Sequence, residues 1–538
     1  MKKSPPNLSI GFAFASPGRV FFASWLLLSL LSVLWSLATP IAASPDEPAH
    51  AVKAAAVVRG ELLGAQSNFG NYATVPKYVA WTNSQACYAR NADQSASCIT
   101  NVSGDPFTTV TTTTTAGQYN PIYYILVGWP SLIFHDSSGI FGMRIVSGML
   151  SSALLALGVM MISTWRRRAI PFAAFTVALT PMTFFLNGSI NPNSLEIAGT
   201  LAAFIGMLSI VLHPDPTRLT PRATIVMVAA ALAVNSRGLS ALWLAVALFV
   251  PLLLTTRAQL LALVKTRIAR LTIAVVGAST ALAFVWIKLA DLLKTRSPDA
   301  GTIPSPVYPM TGASPLHGFV TMLAQTLPQL DGMIGVFGWL DTPAPKEVFA
   351  LWIVLIGSLV LASLVVLRGK TAITAIALGA AFIFLPAIVQ AAYITSGGFI
   401  WQGRYTLPLL VIFVVGLGAL LSAFISDASV RPRRLILVIL ALWGVAQLFS
   451  FGWVLRRYVV GINGNRIEFL TDPKWQPLGG TVLLLLLFGL TIVVTVVVSV
   501  LWIAPRASDG RKVTELTPII PSHGPVAVLD HRDPPAVG

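Results

Sequence analysis

Long apolar runs separated by short polar segments dominate the chain. Most of them approach the roughly 20 residues that an α-helix needs to cross the hydrocarbon core of a bilayer. Their backbone hydrogen bonds can be satisfied there only within helices or a closed barrel. The pattern predicts an all-α polytopic membrane protein with about twelve transmembrane helices, over residues 20–43, 139–163, 171–188, 194–212, 223–236, 238–255, 271–291, 347–367, 371–392, 406–426, 435–455 and 480–503.

The first polar segment, residues 44–138, is the longest and contains two further helical patterns. It begins with "DEPAHAVKAAAVVRGELL", which predicts a juxtamembrane helix at the bilayer interface, capped by Ser44 or Asp46. The apolar stripe of this helix comprises Ala49, Val52, Ala56 and Leu63. A second apolar stretch, residues 118–134, is too short to cross the bilayer, so it predicts another interfacial or re-entrant helix.

Composition and charge agree with a membrane protein. Only 10% of the residues are charged and the mean hydropathy is +0.76, whereas soluble proteins contain roughly 25% charged residues. The net charge of +16 is concentrated in alternate loops, such as "RRR" at 166–168 and "RPRR" at 431–434. The positive-inside rule places these loops in the cytoplasm, so the basicity reports topology and gives no reason to expect a nucleic-acid partner.

The same charge pattern predicts the domain organisation. Residues 1–19 form a cytoplasmic N-terminus, residues 20–503 the transmembrane domain, and residues 504–538 a polar, Pro-rich, disordered cytoplasmic tail. Residues 44–138 and 292–346 become outer loops of a protein in the plasma membrane. The first apolar run is longer than a signal-peptide core, so it is interpreted as an uncleaved anchor.

Both cysteines, Cys87 and Cys98, lie in the first outer loop. Two free thiols are one interpretation. A disulfide is favoured, because the loop faces an oxidising compartment and the chain contains no other cysteine.

Polar side chains that could carry chemistry concentrate near the outer ends of the predicted spans. Arginine can hold a lipid-linked phosphate with its planar fork of donors. A carboxylate can deprotonate an attacking hydroxyl, and aromatic rings can stack on sugars. This combination predicts an outward-facing site that includes Asp46, Glu47, His50, Tyr123, Tyr124, Arg144, Asn193, Arg237, Asp341, Gln402, Arg404 and Tyr405.

Structural interpretations exist for several of these residues. Acids at positions 46 and 47 suit the first turn of a helix through its dipole. Arg404 would serve equally as a snorkelling residue at the interface. Tyr123 and Tyr124 are typical of the aromatic belt of a membrane protein. His50 fits an interfacial histidine without a role.

Six stretches resemble a known family. "SPDEPAH" at the end of the first run resembles the acidic first-loop motif of GT-C superfamily glycosyltransferases, and "NPIYYIL" and "MRIVSGMLSSALLALGVMMISTWRRR" resemble the segments that follow it. "ALTPMTFFLNGSINPNSLEI", "GVFGWLDTPAP" and "QGRYTLP" resemble a bacterial membrane family grouped with these enzymes, domain-of-unknown-function family 2142. The resemblance covers roughly residues 18–425.

The resemblance implies roles for individual residues. Asp46 would be the catalytic base, with Glu47 as its partner or as a ligand of a divalent cation such as Mg²⁺ or Mn²⁺. Arg404 and Tyr405 would contact the phosphate or the sugar. Two positions depart from the family pattern and are assigned to substrate binding: Asn120, where relatives often carry His or Lys, and Asn193, where an acid is common.

The predicted function is therefore transfer of a sugar from a polyprenyl-phosphate donor to a glycan, lipid or protein of the cell envelope. A transporter or flippase of an envelope precursor is the first alternative. It is less favoured because ionisable residues are scarce at mid-span and no internal repeat is visible. The departures at positions 120 and 193 allow a third interpretation, a non-catalytic protein of envelope assembly.

Overall fold

Helices account for most of the protein, whose computed structural model describes residues 16–302, 307–425 and 431–502. The predicted cytoplasmic tail, residues 504–538, and most of the predicted N-terminus lie outside the described residues. The first half of the chain contains α1 (Pro17–Ala38), α2 (Glu47–Val57), α3 (Lys77–Ala80), α4 (Pro121–Gly128), α5 (Pro130–Ile133), α6 (Ser137–Ser163), α7 (Ala169–Ala178), α8 (Pro181–Asn187), α9 (Pro192–Leu212), α10 (Leu219–Val234), α11 (Ser240–Phe249) and α12 (Arg257–Lys265).

The second half continues with α13 (Arg267–Leu292), α14 (Pro315–Ala324), α15 (Thr326–Ile334), α16 (Lys346–Val366), α17 (Gly369–Gly397), α18 (Leu407–Leu421), α19 (Pro432–Val460), α20 (Glu468–Thr471) and α21 (Thr481–Trp502). The strands are β1 (Gln66–Ser67), β2 (Gly70–Pro76), β3 (Thr109–Thr114), β4 (Val336–Phe337) and β5 (Thr342–Pro343). Short 3₁₀ turns occupy Trp81–Ser84, Ala96–Cys98, Pro216–Arg218, Val250–Leu254 and Gly403–Tyr405.

The protein is a helical, polytopic membrane protein, as predicted. Among the described residues, nine helices are long and apolar enough to cross a membrane, or ten if one bent pair counts as a span. Two of the twelve predicted spans are shorter than a full crossing, Ser240–Leu254 and α18. Nearly every side chain of α18 is buried within the protein. Its length is therefore set by neighbouring helices rather than by the bilayer.

The bent pair, α7 and α8, replaces the straight span predicted over residues 171–188. The two helices meet at 63°, because Pro181 lacks an amide proton and disfavours helical geometry in the residue before it. The break leaves the carbonyl of Leu179 free of the helix. It accepts hydrogen bonds from Trp443 Nε1 at 2.8 Å and Gln447 Nε2 at 2.9 Å, which satisfy a buried acceptor.

The segment "NSRG" at 235–238 separates α10 from α11, so the two helices predicted there are present rather than one bent helix. α9 packs against both. Gly199 of α9 allows close approach to α10, since a Cβ at this position would lie 2.9 Å from Ala233 Cβ. The N-terminal end of α9 is thereby placed beside the 235–238 turn.

The first polar segment, residues 44–138, folds around a three-stranded antiparallel sheet in the order β1–β2–β3. The predicted disulfide between Cys87 and Cys98 is present. Arg457 of α19 holds this disulfide loop by donating to the carbonyls of Tyr88 and Asn91. The loop is thus fixed to the transmembrane bundle.

α2, which the sequence predicts to lie at the membrane interface, lacks the exposed polar face of a helix lying on a membrane. Its side chains are buried on nearly every face, and it packs against α4, β2 and β3. The predicted caps are also absent: Asp46 makes no capping hydrogen bond, and Ser44 Oγ has no partner among the described residues. A helix enclosed on all sides cannot be recognised from a one-sided apolar stripe.

The 118–134 stretch forms two short helices, α4 and α5, as expected for a segment too short to span. α4 lies against α2, and a Cβ at Gly128 would come within 2.4 Å of the Ala54 carbonyl oxygen. This close backbone approach brings the aromatic residues of α4 against the helix that follows Asp46.

Candidate functional site

An ion pair joins two stretches that resemble the family, one near the beginning and one near the end of residues 18–425. Asp46 Oδ2 lies 2.6 Å from Arg404 Nη2, although the two residues are 358 positions apart. The Arg404 side chain is 4% exposed and that of Asp46 is 48% exposed. The prediction that the acidic motif and "QGRY" meet in one place is confirmed. The carboxylate is accessible, whereas the cation beneath it is fixed.

Asp46 is held in place by its neighbour. Asp46 has a left-handed backbone with φ of 67°, and it turns the chain into α2. Glu47 then points inward, where Arg144 donates to both carboxylate oxygens at 2.6 Å. The amide of Ile190 donates to the same carboxylate at 3.1 Å. The first turn of α2 is therefore tied to α6 and to the loop before α9.

Glu47, predicted as the partner of Asp46 or a metal ligand, and Arg144, predicted to bind substrate, bind each other instead. Their side chains are 1% and 0% exposed. Arg144 also donates to the backbone carbonyls of Ser36, Thr39 and Pro40 at 2.7–2.9 Å. All these donors serve the protein itself, so the pair positions Asp46 rather than a ligand.

The Arg404 side of the site rests on a turn that only glycine fits. A Cβ at Gly403 would lie 2.4 Å from the carbonyl oxygen of Gln329 and 2.7 Å from the Cα of Gly332. The turn is closed by Trp401 Nε1, which donates to Thr406 Oγ1 at 2.9 Å. This packing against α15 directs Arg404 toward Asp46. Arg404 Nε is buried and has no hydrogen-bond partner among the described residues.

A second arginine also lies against the Tyr405 ring. The guanidinium carbon of Arg237 is 4.6 Å from the ring centroid, and that of Arg404 is 5.2 Å from it. Arg237 also donates to Asn193 Oδ1 and lies 3.9 Å from Glu196 Oε2. Cation–π contacts stabilise both guanidinium groups beside one aromatic ring. The turn before α11 thus joins the Asp46–Arg404 pair.

His50 completes the cluster from α2. Its Nδ1 shares a hydrogen bond of 2.8 Å with the hydroxyl of Tyr124. Burial lowers the pKa of His50 to about 3, although the charge of Asp46 acts in the opposite direction. The ring is therefore neutral near pH 7, and it supplies hydrogen bonding without positive charge.

Asn120 and Gln402, both predicted to bind substrate, each precede a short helical element. Asn120 Oδ1 accepts from the amide of Ile122 at 3.0 Å, and its Nδ2 donates to Asn235 at 2.8 Å. Asn120 therefore caps α4 and links it to the 235–238 turn. Gln402 precedes the Arg404 turn, and its Oε1 is buried without a partner among the described residues.

Three predicted contacts with substrate are not supported by the structure. Tyr123 and Tyr124 are 0% exposed, so they support the cluster from behind and do not line an open cleft. Asp341 pairs with Arg457 Nη2 at 3.0 Å. That arginine also donates to Thr342 and to carbonyls of the disulfide loop, so Asp341 belongs to a structural connection.

Sequence reasoning missed Glu196 as a member of the site. Glu196 is buried in α9, and its Oε1 accepts from Ser240 Oγ at 2.7 Å. The signal was present in the sequence, because an acidic residue inside an apolar run usually has a partner or a function. Its partner, Arg237, is distant in sequence and became visible only in the fold.

Among the described residues, no group of three or more His, Cys, Asp or Glu is placed to hold a metal ion. Glu47, the predicted metal ligand, is paired with Arg144, and Asp46 beside it is paired with Arg404. A divalent cation stays a prediction of the sequence.

The chain matches one protein-family model and is similar in fold to two solved structures. A family model described as "Predicted membrane protein (DUF2142)" matches residues 28–413. No protein with a curated description matches the chain. The fold is similar to that of ArnT from Cupriavidus metallidurans, in a crystal structure bound to undecaprenyl phosphate, with 15% identity, 91% of this chain and 77% of that chain covered, and a TM-score of 0.42. The apo structure of ArnT is 14% identical in sequence, with 90% of this chain and 77% of that chain covered and a TM-score of 0.44.

Proposed function

Since the chain belongs to the DUF2142 family of predicted membrane proteins, we propose that it is a membrane glycosyltransferase. It transfers a sugar from a polyprenyl-phosphate-linked donor to a cell-envelope acceptor on the outer face of the plasma membrane. One observation carries the proposal: the half-exposed carboxylate of Asp46 lies 2.6 Å from the buried guanidinium of Arg404. An accessible base beside a fixed cation is the pairing that sugar transfer from a phosphate donor requires.

In the proposed reaction Asp46 accepts the proton of an acceptor hydroxyl as that oxygen attacks the anomeric carbon of the donor. The bond between this carbon and the phosphate oxygen breaks, and its electron pair remains on the phosphate. Arg404 and Arg237 stabilise the negative charge that develops there, because guanidinium groups donate well-directed hydrogen bonds to phosphate. Arg404 Nε is a buried donor without a partner among the described residues.

His50 contributes by staying neutral. A protonated imidazole beside Asp46 would compete for the carboxylate and weaken it as a base. Burial keeps the pKa of His50 far below neutrality, and Tyr124 fixes the ring through its hydroxyl. Of His50 and Asp46, the acid–base assignment therefore falls on Asp46.

A transporter remains the second candidate, because Glu196 of the membrane-spanning helix α9 forms an ion pair with Arg237. Transporters often place such groups near mid-membrane, on broken helices. Glu196 instead lies in the second turn of α9, which begins at Pro192. This position next to the Asp46–Arg404 pair supports a surface reaction over passage through the bilayer.

The test compares the purified protein and two variants in lipid nanodiscs, with polyprenyl-phosphate-linked sugars and envelope acceptors. Asp46→Asn should lower the transfer rate by at least about 100-fold, the usual contribution of a general base. Asp105→Asn, which changes another acid of the first polar segment, should leave the rate unchanged. Equal rates for Asp46→Asn and the parent protein would refute the assignment. Substrate counterflow without product would identify a transporter, and donor binding without turnover would identify an assembly protein.

A further inference from the structure

Two adjoining cavities lie at the end of α9 remote from Glu196. One has a volume of about 350 Å³ and is called the polar cavity here, because Asp215, Arg222, Thr255, Gln259 and Thr266 line it among apolar side chains. The other is an apolar cavity of about 570 Å³, enclosed by side chains of α9 to α13. The two share the lining residues Ile210, Leu219 and Leu263. A polar compartment that continues into an apolar one matches an amphipathic ligand.

This pair of cavities is separate from the Asp46–Arg404 site. α9 has 21 residues, which correspond to about 30 Å at 1.5 Å per residue. Glu196 lies in the second turn of α9, whereas Ile210 lies in its last turn. The 14 residues that separate them along α9 correspond to about 21 Å, which is most of the roughly 30 Å hydrocarbon core of a bilayer. The cavities therefore open at the opposite membrane surface.

Charged groups of both signs line the polar cavity, and further cations lie beside it. The Arg222 side chain lines it, and its Nη1 is oriented by the carbonyls of Ser209 and His213. The one acid of the lining, Asp215, is already paired with Arg218 at 3.3 Å. Further cations on or beside α12 are Arg257, Lys265, Arg267 and Arg270. An anionic headgroup is the chemistry that this charge complements.

The apolar cavity borders elements that face lipid. Every residue of α12 is partly or fully exposed, including Leu261 at 52% and Val264 at 40%. A short helix with cations and exposed apolar side chains is typical of the membrane interface. Most side chains of α13 are also exposed, and in a bilayer they contact acyl chains. A lipid chain can therefore reach the cavity from the exposed side of α12 and α13.

We propose that the two cavities bind one anionic phospholipid from the leaflet opposite the Asp46 site. Its phosphate lies in the polar cavity beside Arg222, and one acyl chain fills the apolar cavity. The lipid fills space between α9, α10, α11 and α13 that protein side chains leave empty, and it thereby joins α12 and α13 to the bundle. This site does not depend on the proposed transfer reaction, because it lies at the other end of α9.

Native mass spectrometry of the full chain in detergent, with added phosphatidylglycerol or phosphatidylcholine, tests the charge of the ligand. One phosphatidylglycerol should remain bound and raise the melting temperature, and phosphatidylcholine should bind more weakly. Ala262 lines the polar cavity and is exposed on α12. Ala262→Glu should weaken phosphatidylglycerol binding about fivefold, the effect of one charge at a membrane surface. Ala262→Gln, matched in size without the charge, should retain most of the binding.

A second variant tests the acyl chain. Ala245 of α11 lines the apolar cavity, and Ala245→Trp fills it without changing charge. This variant should lose the retained phosphatidylglycerol while keeping a melting temperature close to that of the lipid-free parent protein. Equal binding of both phospholipids, or retention of lipid by both Ala262→Glu and Ala245→Trp, would overturn the proposal. Displacement of the retained phosphatidylglycerol by polyprenyl phosphate in the parent protein would also overturn it.

Discussion

The buried ion pair between Glu47 and Arg144 should decide whether the candidate site is assembled at all. The two side chains are 1% and 0% exposed and are joined by two hydrogen bonds of 2.6 Å. Glu47→Gln keeps the shape of the side chain and removes its charge. Arg144 is then left as an unpaired cation in the protein interior.

The expected cost follows from this geometry. Breaking a buried pair by removing one partner destabilises a protein by about 3–5 kcal/mol. Arg144→Met should cost at least as much, because the carbonyls of Ser36, Thr39 and Pro40 also lose their donors. Each buried acceptor left without a partner adds about 1–3 kcal/mol. The double variant Glu47→Leu with Arg144→Met should cost less than the sum of the single variants, because no charge is left unpaired.

The assay is reversible unfolding in mixed micelles, followed by tryptophan fluorescence, on the parent protein and each variant. Asp291→Asn provides the control, since its pair with Lys294 is exposed, with side chains 69% and 34% accessible. Exposed pairs contribute about 0–1 kcal/mol. If Glu47→Gln destabilises the protein no more than Asp291→Asn does, the pair does not hold the first turn of α2.

Two further outcomes follow from single residues of the site. Burial lowers the pKa of His50 from 6.5 to about 3. As the pH falls, the unfolded chain therefore binds a proton at this residue before the folded protein does. The stability that the neutral ring contributes is fully present above about pH 6.5 and is lost as the pH falls toward 3. The melting temperature of His50→Gln should therefore decrease less between pH 7 and pH 4 than that of the parent protein. An identical decrease in both proteins would contradict the burial of a neutral ring. Gly403→Ala should abolish transfer and lower the melting temperature, since its Cβ would meet backbone of Gln329 and Gly332. Gly238→Ala, whose Cβ would meet nothing within 4 Å, should behave as the parent; equal effects of the two changes would refute the packing argument.

The helical membrane fold followed from the sequence because the bilayer imposes a simple rule. A run of about 20 apolar residues must be a helix if it crosses lipid, and nine described helices meet that expectation. The rule fails where protein replaces lipid as the surroundings. α18 is enclosed by other helices and stops short of a full crossing, and α2 is buried on nearly every face. No pattern of apolar and polar positions distinguishes a lipid environment from a protein interior.

The sequence by itself determined which residue types the site would use and that the motif at Asp46 would meet the one at Arg404. It did so because acids and arginines beside a membrane are retained where they have partners or functions. Only the tertiary structure decided how they are paired. Asp46 and Glu47 are adjacent in the chain, yet one carboxylate is half exposed beside Arg404 and the other is sealed against Arg144. The backbone turn at Asp46, with its positive φ, sends the two side chains apart, and long-range packing determines which arginine each one meets.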